Sequence, residues 1–218
     1  MPGKLIVIDG IDGSGKKTQT KLLVEHLKKN GARVETLDFP QYDSFFGKMI
    51  RAYLDGAYGD PTKINPRLAS LLYAADRWDH ADTIRQWLND GATVVLDRYY
   101  TSNLIHQAPK LSDDQLDEFV EWLDQLEFEI FKIPKPNIVL FLDVDAQTAY
   151  SLITKRGAGH DGHEQLEHLK QSHRKSLALS KRFGWIVISC CDNGILLNID
   201  TIAQKIRQTV NPFLAVDN

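Results

Sequence analysis

The chain has 218 residues, of which 43% are hydrophobic and 25% charged, and its formal net charge is −3 at pH 7. This length and composition are typical of one large globular α/β domain. The slightly negative charge disfavours non-specific binding to nucleic acid. No apolar run reaches the length that a membrane span needs. We therefore expect neither nucleic acid nor a membrane as a partner.

Short apolar runs alternate with amphipathic helical stretches along the chain. Five of the runs have the length and composition of strands: KLIVID at 4–9, RVETLDF at 33–39, ATVVLD at 92–97, NIVLFLDV at 137–144 and WIVISC at 185–190. Their largely continuous apolar character indicates strands that are buried on both faces of a sheet. The sequence therefore predicts an α/β fold with a parallel sheet covered by helices on both faces.

Two helix starts can be identified from local signals. Asn65 followed by Pro66 is a favourable N-cap with proline at the first helical position, and Ser112 with Gln115 forms a possible capping box. Apolar residues then recur at helical spacing in both segments. They are Leu68, Leu71, Leu72, Ala75 and Trp78 in the first, and Leu116, Phe119, Val120, Leu123 and Leu126 in the second.

A glycine-rich segment, GIDGSGKKTQ at 10–19, lies between the first predicted strand and a helix. Strand, glycine-rich turn and helix are the context of a phosphate-binding loop, in which backbone N–H groups surround an anion. The helix adds its positive end, and Lys16 is placed to reach the outer phosphates. The predicted nucleotide-binding residues here are Gly10, Asp12, Gly13, Ser14, Gly15, Lys16, Lys17 and Thr18.

Lys17 departs from the usual loop pattern, which has serine or threonine after the loop lysine as a magnesium ligand. Two interpretations are open. Lys17 is either a solvated helix residue, with Thr18 or water serving the metal, or a cation placed where phosphates meet. Either way magnesium binding need not be lost, because the ion keeps several waters and phosphate oxygens.

Polar residues follow the predicted strands at their carboxyl ends, where ligands bind in parallel sheets. Asp97 and Arg98 end the third strand, and we expect Asp97 to hold magnesium and Arg98 to clamp a phosphate. Asp9, at the end of the first strand, is the second candidate metal ligand. The alternative for Asp97 and Arg98 is a surface ion pair.

Tyr73 and Arg77 lie four residues apart on the predicted helix that starts at Pro66, so they share one face. A ring and a guanidinium in this arrangement could stack on a base and hydrogen-bond it. The same spacing also fits a core ring beside a surface charge, so both interpretations are kept.

The remaining polar segments give fewer signals. Cys190 and Cys191 are expected to be reduced thiols, which indicates a cytoplasmic protein. Residues 155–165 are rich in glycine and polar residues, and we interpret them as a lid. His160 and His163 in this segment lack the further ligands of a metal site.

The chain has no convincing Ser/His/Asp or Cys/His catalytic set. An acceptor that is itself a phosphate needs no base, because its oxygen is already anionic. The difficulty is to bring two anions together, which requires cations and a closing lid. The candidate cations are Lys16, Lys17, Arg77, Arg98 and Arg156.

Six ordered segments together resemble the thymidylate kinase family of P-loop nucleoside monophosphate kinases. They are DGIDGSGKKTQ, DFPQY, LLYAADRW, LDRYYTSN, PKPNIVLFLDV and KRGAGHDGHE. The resemblance implies a P-loop NTPase fold with a five-stranded parallel sheet, a single kinase domain over 1–218, a homodimer, and ATP with Mg²⁺. The reaction that it implies is transfer of the ATP γ-phosphoryl group to dTMP, giving dTDP for pyrimidine deoxynucleotide synthesis.

The resemblance also implies roles for matching residues. Asp12 matches the acid that contacts the acceptor sugar, Tyr73 the ring that stacks on thymine, and Arg98 the arginine on the acceptor phosphate. Arg77 and Asn103 match the pair that contacts the base, while Arg156 matches a lid arginine near adenine. The other implied acceptor-site residues are Phe39, Pro40, Tyr42, Ser102, His106 and Gln107. His106 stands where an aromatic ring often excludes a ribose 2′-hydroxyl.

The chain departs from the family at the catalytic arginine, which some members carry at the position of Gly13 and others deep in the lid. We hypothesise that Lys17 supplies the missing charge, so that the catalytic residues are Lys16, Lys17, Asp97 and Arg98. Two alternatives remain at this point. The acceptor could be another monophosphate, such as dUMP or a purine nucleotide, or the chain could bind nucleotide without turnover.

Overall fold

The computed structural model describes residues 2–155, 166–192 and 194–215. Five parallel strands form one sheet in the order β2-β3-β1-β4-β5. The strands are β1 Leu5–Asp9, β2 Val34–Asp38, β3 Thr93–Asp97, β4 Ile138–Asp143 and β5 Ile186–Ser189. Every predicted strand is confirmed, each shorter by one residue or two than the apolar run that indicated it.

Helices flank this sheet, and nine α-helices occur in the described residues. They are α1 Lys16–Lys29, α2 Phe45–Leu54, α3 Pro66–Asp79, α4 Ala81–Asn89, α5 Thr101–Gln107, α6 Asp113–Asp124, α7 Ala146–Lys155, α8 Leu166–Phe183 and α9 Ile199–Ala215. A 3₁₀ turn, Ala108–Lys110, follows α5, and a π-helix, Gln125–Ile130, follows α6. No helix of the described residues is both long and apolar enough to cross a membrane.

The sheet is buried at its centre and more polar at one edge. Strand β1 is fully buried, whereas in the edge strand β2 only Val34 is buried and the next four residues are half-buried or exposed. Because all five strands run in the same direction, their carboxyl ends meet along one edge of the sheet. The registers place Ile8 beside Asp97 on one side, and Asp9 beside Phe141 on the other. The residues that follow β1 and β3 are therefore neighbours.

Both predicted helix starts are confirmed. The Asn65 side chain accepts a hydrogen bond from the Arg67 backbone N–H at 2.9 Å, with Pro66 at the first position of α3. Ser112 and Gln115 form the capping box of α6. Phe119, Val120, Leu123 and Leu126 are buried as their spacing indicates.

The apolar residues that recur at helical spacing in α3 are less buried than those in α6. Leu68, Leu71 and Trp78 are 55%, 41% and 50% exposed, so much of this face is open to solvent, although the Trp78 ring lies 6.1 Å from that of Phe131. Helical periodicity shows which residues share a face, but it cannot show whether that face packs within the chain.

The two cysteines are free thiols, as expected. Cys190 is fully buried, while Cys191 begins a small antiparallel pair formed by β6 Cys191–Asp192 and β7 Ile195–Leu196. Of the predicted lid at 155–165, only Lys155 is described, at the end of α7; residues 156–165 lie outside the described residues.

Candidate active site

The segment between β1 and α1 forms a tight loop that its glycines make possible. Gly13 and Gly15 have φ angles of 81° and 87°, in the left-handed region that side chains rarely adopt. A Cβ atom at Gly13 would also lie 2.4 Å from the Ala149 backbone oxygen in α7. Position 13 therefore has neither the backbone geometry nor the space for an arginine.

Lys16 is enclosed by this loop. It is 5% exposed, and its Nζ donates hydrogen bonds to the carbonyl oxygens of Gly10 and Ile11, both at 2.8 Å. Burial lowers the pKa of Lys16 to about 8, with Arg98 acting in the same direction and Asp12 opposing it. The lysine is thus already inside the loop that would surround the phosphates, and its charge depends on pH in the mildly alkaline range.

Lys17 and Thr18, in the first turn of α1, are both exposed. Ser14 is 4% exposed, and its Oγ has no hydrogen-bond partner among the described residues. The role of Lys17 as a cation near the phosphates therefore stays a prediction.

Arg98 joins the end of β3 to the phosphate loop. Its Nη2 donates to Asp12 Oδ1, and its Nη1 lies 3.1 Å from His106 Nε2. Because a guanidinium can only donate, His106 Nε2 must accept, so this imidazole is neutral with its proton on Nδ1. The backbone of Arg98 has a φ of 67°, which is uncommon for a residue with a side chain and typical of functional positions.

The charges around Arg98 stabilise each other. Burial alone would raise the pKa of Asp12, but the positive charges of Arg98 and Lys16 outweigh it and hold that pKa well below its usual value. Burial, with Arg98 adding to it, likewise holds the pKa of His106 well below its usual value. At neutral pH the site therefore contains an ionised Asp12, a neutral His106 and a permanent positive charge on Arg98.

Two carboxylates at the strand ends were candidates for magnesium. Asp97 is 8% exposed, and its Oδ1 has no hydrogen-bond partner in the described parts of the chain. Burial raises the pKa of Asp97. An unpaired, buried carboxylate oxygen beside the phosphate loop fits a magnesium ligand, directly or through water.

Asp9 is engaged differently. Its Oδ2 accepts from Thr101 Oγ1 at 2.6 Å, its Oδ1 accepts from the Gly10 backbone N–H at 2.8 Å, and Ser102 Oγ lies within 3.0 Å of both oxygens. These contacts anchor the start of α5 to β1. The magnesium proposal therefore rests on Asp97. Within the described residues no three His, Cys, Asp or Glu side chains come together as a metal site.

The segment after β2 forms one side of the neighbouring pocket. Phe39 is 5% exposed and its ring lies 5.9 Å from that of Tyr99, while Pro40 follows a cis peptide bond. Tyr42 is 37% exposed and lies under the Arg51 guanidinium, 4.0 Å from ring centroid to Cζ.

Helices α3 and α5 form the other side. Tyr73 is partly buried, 6.3 Å from the Tyr53 ring between centroids, and burial raises its pKa well above the usual value. Gln107 is 1% exposed, and its Oε1 has no hydrogen-bond partner among the residues described. Arg77 and Asn103 are buried together, at 2% and 2% exposure.

Three residues at this site were not identified from the sequence. Asp76 accepts from the Gln41 backbone N–H and from Ser44 Oγ, both at 2.9 Å, and so ties the segment after Phe39–Pro40 to α3. Glu127 pairs with Arg77. His168 stacks on His106 with 6.3 Å between centroids and 15° between planes. Each acts across more than thirty residues of chain, and no local pattern marks it.

Arg156 remains a prediction, because it lies outside the described residues, as do His160 and His163. The other site residues fall into two groups that meet at Arg98 and Asp12. One group surrounds the phosphate loop, and the other lines the pocket between the Phe39–Pro40 segment, α3 and α5.

A parallel sheet in this strand order, with a glycine-rich loop between β1 and α1, defines a P-loop nucleotide-binding protein. A sequence model of the thymidylate kinase family matches residues 8–197. The chain therefore belongs to the thymidylate kinase family, whose members are nucleoside monophosphate kinases.

Individual relatives agree with this assignment. The chain is 33% identical to the thymidylate kinase of Schizosaccharomyces pombe over 181 residues, which is 83% of this chain and 79% of that protein. It is 34% identical to the human thymidylate kinase over 163 residues, 74% and 69% of the two chains. It is also similar in fold to the thymidylate kinase structure from Candida albicans, with a TM-score of 0.74, 23% identity and coverage of 97% and 92%.

Proposed function

We propose that this chain transfers the γ-phosphoryl group of ATP to dTMP, giving dTDP and ADP. The observation that carries the proposal is the position of Arg98, which directly follows β3 and pairs with Asp12 of the phosphate loop. One guanidinium is thus in reach of both the donor and the acceptor phosphates. Family membership supports the choice of substrates.

In this proposal the loop N–H groups and Lys16 hold the ATP phosphates, and Arg98 holds the acceptor phosphate. The acceptor oxygen is already anionic, so the site positions two anions and neutralises the charge that develops between them. Tyr73 stacks on the base, and Arg77 and Asn103 contact its edge. Asp12 contacts the sugar hydroxyl, while Phe39, Pro40, Tyr42, Ser102, His106 and Gln107 complete the pocket.

Magnesium is part of the same proposal. Asp97 would hold it, and the ion would neutralise phosphate charge during transfer. The two free thiols support a reducing compartment, and we propose the cytoplasm. The lid residue Arg156 is proposed to contact adenine.

The direct test is ADP release by the purified chain with ATP, Mg²⁺ and one acceptor at a time. We expect turnover with dTMP and much less with dCMP or purine monophosphates; dUMP measures how strictly the methyl group is required. ATP binding without any acceptor-dependent ADP would instead identify a nucleotide-binding protein that lacks turnover, and a preference for another monophosphate would change the substrate.

Replacing Lys17 with alanine or threonine is expected to lower kcat about 10- to 100-fold while changing the KM for ATP less, because the charge is needed mainly in the transition state. The measurement is steady-state kinetics with dTMP as acceptor. Lys21 on the same helix, exposed and paired with Glu25 at 3.8 Å, provides the control: Lys21→Ala should leave kcat unchanged. An unaltered kcat in Lys17→Ala would disprove the role of this lysine.

We also propose a homodimer through the exposed face of α3. Leu68, Leu71 and Trp78 form an apolar surface that a second copy of the chain would cover. Leu68→Asp is expected to produce a monomer, because a dimer would have to bury the new charge at its interface. The helix itself should tolerate the change, since an aspartate in the first turn interacts favourably with the helix dipole. Light scattering coupled to size exclusion gives the mass.

The matched control for the dimer is Ile195→Asp, which charges a residue that is 73% exposed on β7. It should keep the mass of the unmodified protein. A monomeric unmodified protein, or a dimer that persists in Leu68→Asp, would contradict this interface.

A further inference from the structure

The most deeply buried ion pair of the described chain lies beside the acceptor pocket. Arg77 is 2% exposed and Glu127 is fully buried. The pair is bidentate: Nη2 of the guanidinium contacts Oε1, and Nε donates to Oε2 at 3.2 Å. Glu127 comes from the π-helix that follows α6, a type of segment that is frequent at functional sites.

Stability alone is a weak reason for such a pair. Removing two charges from water costs about as much as their attraction returns, so buried ion pairs contribute little net stability compared with apolar residues. A bidentate contact does, however, fix the plane of the guanidinium. The third nitrogen of Arg77, Nη1, donates one N–H to the Tyr99 carbonyl oxygen at 3.5 Å. Nη1 carries a second N–H that can donate to a ligand.

The same carboxylate, together with the Ser70 carbonyl, fixes the orientation of the Asn103 amide. The Asn103 Nδ2 lies 3.2 Å from the Ser70 carbonyl oxygen and 3.5 Å from Glu127 Oε1. Both neighbours are acceptors, so the amide must present its NH₂ group to them; the flipped amide would place Oδ1 against two oxygens. Asn103 Oδ1 consequently faces away from Glu127.

We propose that Glu127 is a positioning residue for recognition of the acceptor base, an inference that rests on the proposed function. It sets a donor, Arg77 Nη1, and an acceptor, Asn103 Oδ1, in fixed orientations on neighbouring helices. A base edge with a carbonyl next to a ring N–H, as in thymine and uracil, complements this pair. Cytosine presents an amino group next to a ring acceptor, which places donor against donor and acceptor against acceptor.

The test variant is Glu127→Gln, which keeps the volume but removes the charge and adds an NH₂ group. That group can donate to Asn103 Oδ1, so one of the two acceptors that fix the amide is lost and only the Ser70 carbonyl still favours the original orientation. We expect the KM for dTMP to rise about 10- to 100-fold, the range typical when a group that orients a ligand is lost, with a much smaller change in kcat. The ratio of kcat/KM for dTMP over dCMP should fall.

A merely structural role would not change that ratio. Val210→Ala provides the control, because Val210 is fully buried in α9 away from the acceptor pocket and its truncation lowers stability by opening a small cavity. It should lower the melting temperature without altering the KM for dTMP or the preference over dCMP. If Glu127→Gln does not fold, Glu127→Asp is the second variant. Its shorter side chain keeps the negative charge but moves it away from Arg77, and it should also raise the KM for dTMP.

Calorimetric binding of dTMP and dCMP in the absence of ATP separates this inference from the proposed reaction. If the unmodified protein binds dTMP but does not turn over, the proposed function fails, and weaker dTMP binding by Glu127→Gln still supports the positioning role. If folded Glu127→Gln keeps the unmodified affinity and the unmodified preference over dCMP, the positioning role is overturned while the kinase reaction stands.

Discussion

Replacing Arg98 with alanine is expected to lower kcat by about 10²- to 10³-fold, the effect typical of removing one preorganised group that stabilises transition-state charge. Arg98 is placed for this by its contact with Asp12 and by an uncommon backbone conformation, with φ at 67°. We expect kcat/KM for dTMP to fall strongly and the KM for ATP to change little, because the guanidinium is assigned to the acceptor phosphate. Steady-state kinetics with each substrate varied in turn measures both.

Two variants separate charge from geometry. Arg98→Lys keeps the charge but not the two-pronged donor, so its kcat should lie between those of the unmodified protein and Arg98→Ala. Arg182→Ala breaks an exposed ion pair with Asp117 and should leave kcat unchanged. Near-normal turnover in folded Arg98→Ala would show that this residue does not hold the reacting phosphate.

The affinity for ATP should be constant between about pH 7 and pH 8, above the range in which the terminal phosphate is itself protonated, and should fall about tenfold per pH unit above pH 8. The pKa of Lys16 in the free protein is lowered to about 8, and bound phosphates would stabilise the protonated form and raise that pKa. Below pH 8 Lys16 is protonated in both the free and the ATP-bound protein, so binding takes up no proton. Above pH 8 the free protein has lost the proton, binding must recover it, and the affinity decreases. Calorimetric titration across this range measures the slope.

Lys16→Arg is the control for this titration. A guanidinium stays protonated throughout the range, so the affinity of the variant for ATP should not change above pH 8, whatever its absolute value. An unmodified protein whose ATP affinity is constant up to about pH 10, near the ordinary lysine pKa, would mean that Lys16 is not the residue that meets the phosphates.

The parts of the fold that follow local chemistry could be predicted from the sequence. Strands were identified because buried parallel strands are continuous apolar runs, and the helix starts at Asn65 and Ser112 because capping residues have fixed spacings. The phosphate loop was located for the same reason: its glycines and Lys16 occupy positions that only a strand-loop-helix context explains.

The parts that depend on distant partners could not be predicted. The sequence allows Arg77 to be either a base contact or a surface charge, and the second is wrong because Arg77 is 2% exposed. Nothing near Arg77 in sequence indicates its partner Glu127, fifty residues away in a π-helix. The exposure of Leu68 and Trp78 could not be predicted from the sequence either. Helical periodicity is the same whether an apolar face packs within its own chain or against another chain. His168 lies beyond the proposed lid, and only the folded chain brings it to His106.

The contact between Gly13 and the Ala149 carbonyl has an evolutionary consequence. The family resemblance implies an arginine at this position in some members, yet here a single substitution at position 13 would meet the backbone of α7 at 2.4 Å and require an unfavourable φ. A lineage with this loop cannot acquire that arginine by one mutation, since the benefit appears only after α7 has moved. Substitutions at the two sites should thus be epistatic, and a charge gained elsewhere, as we propose for Lys17, is the more accessible route.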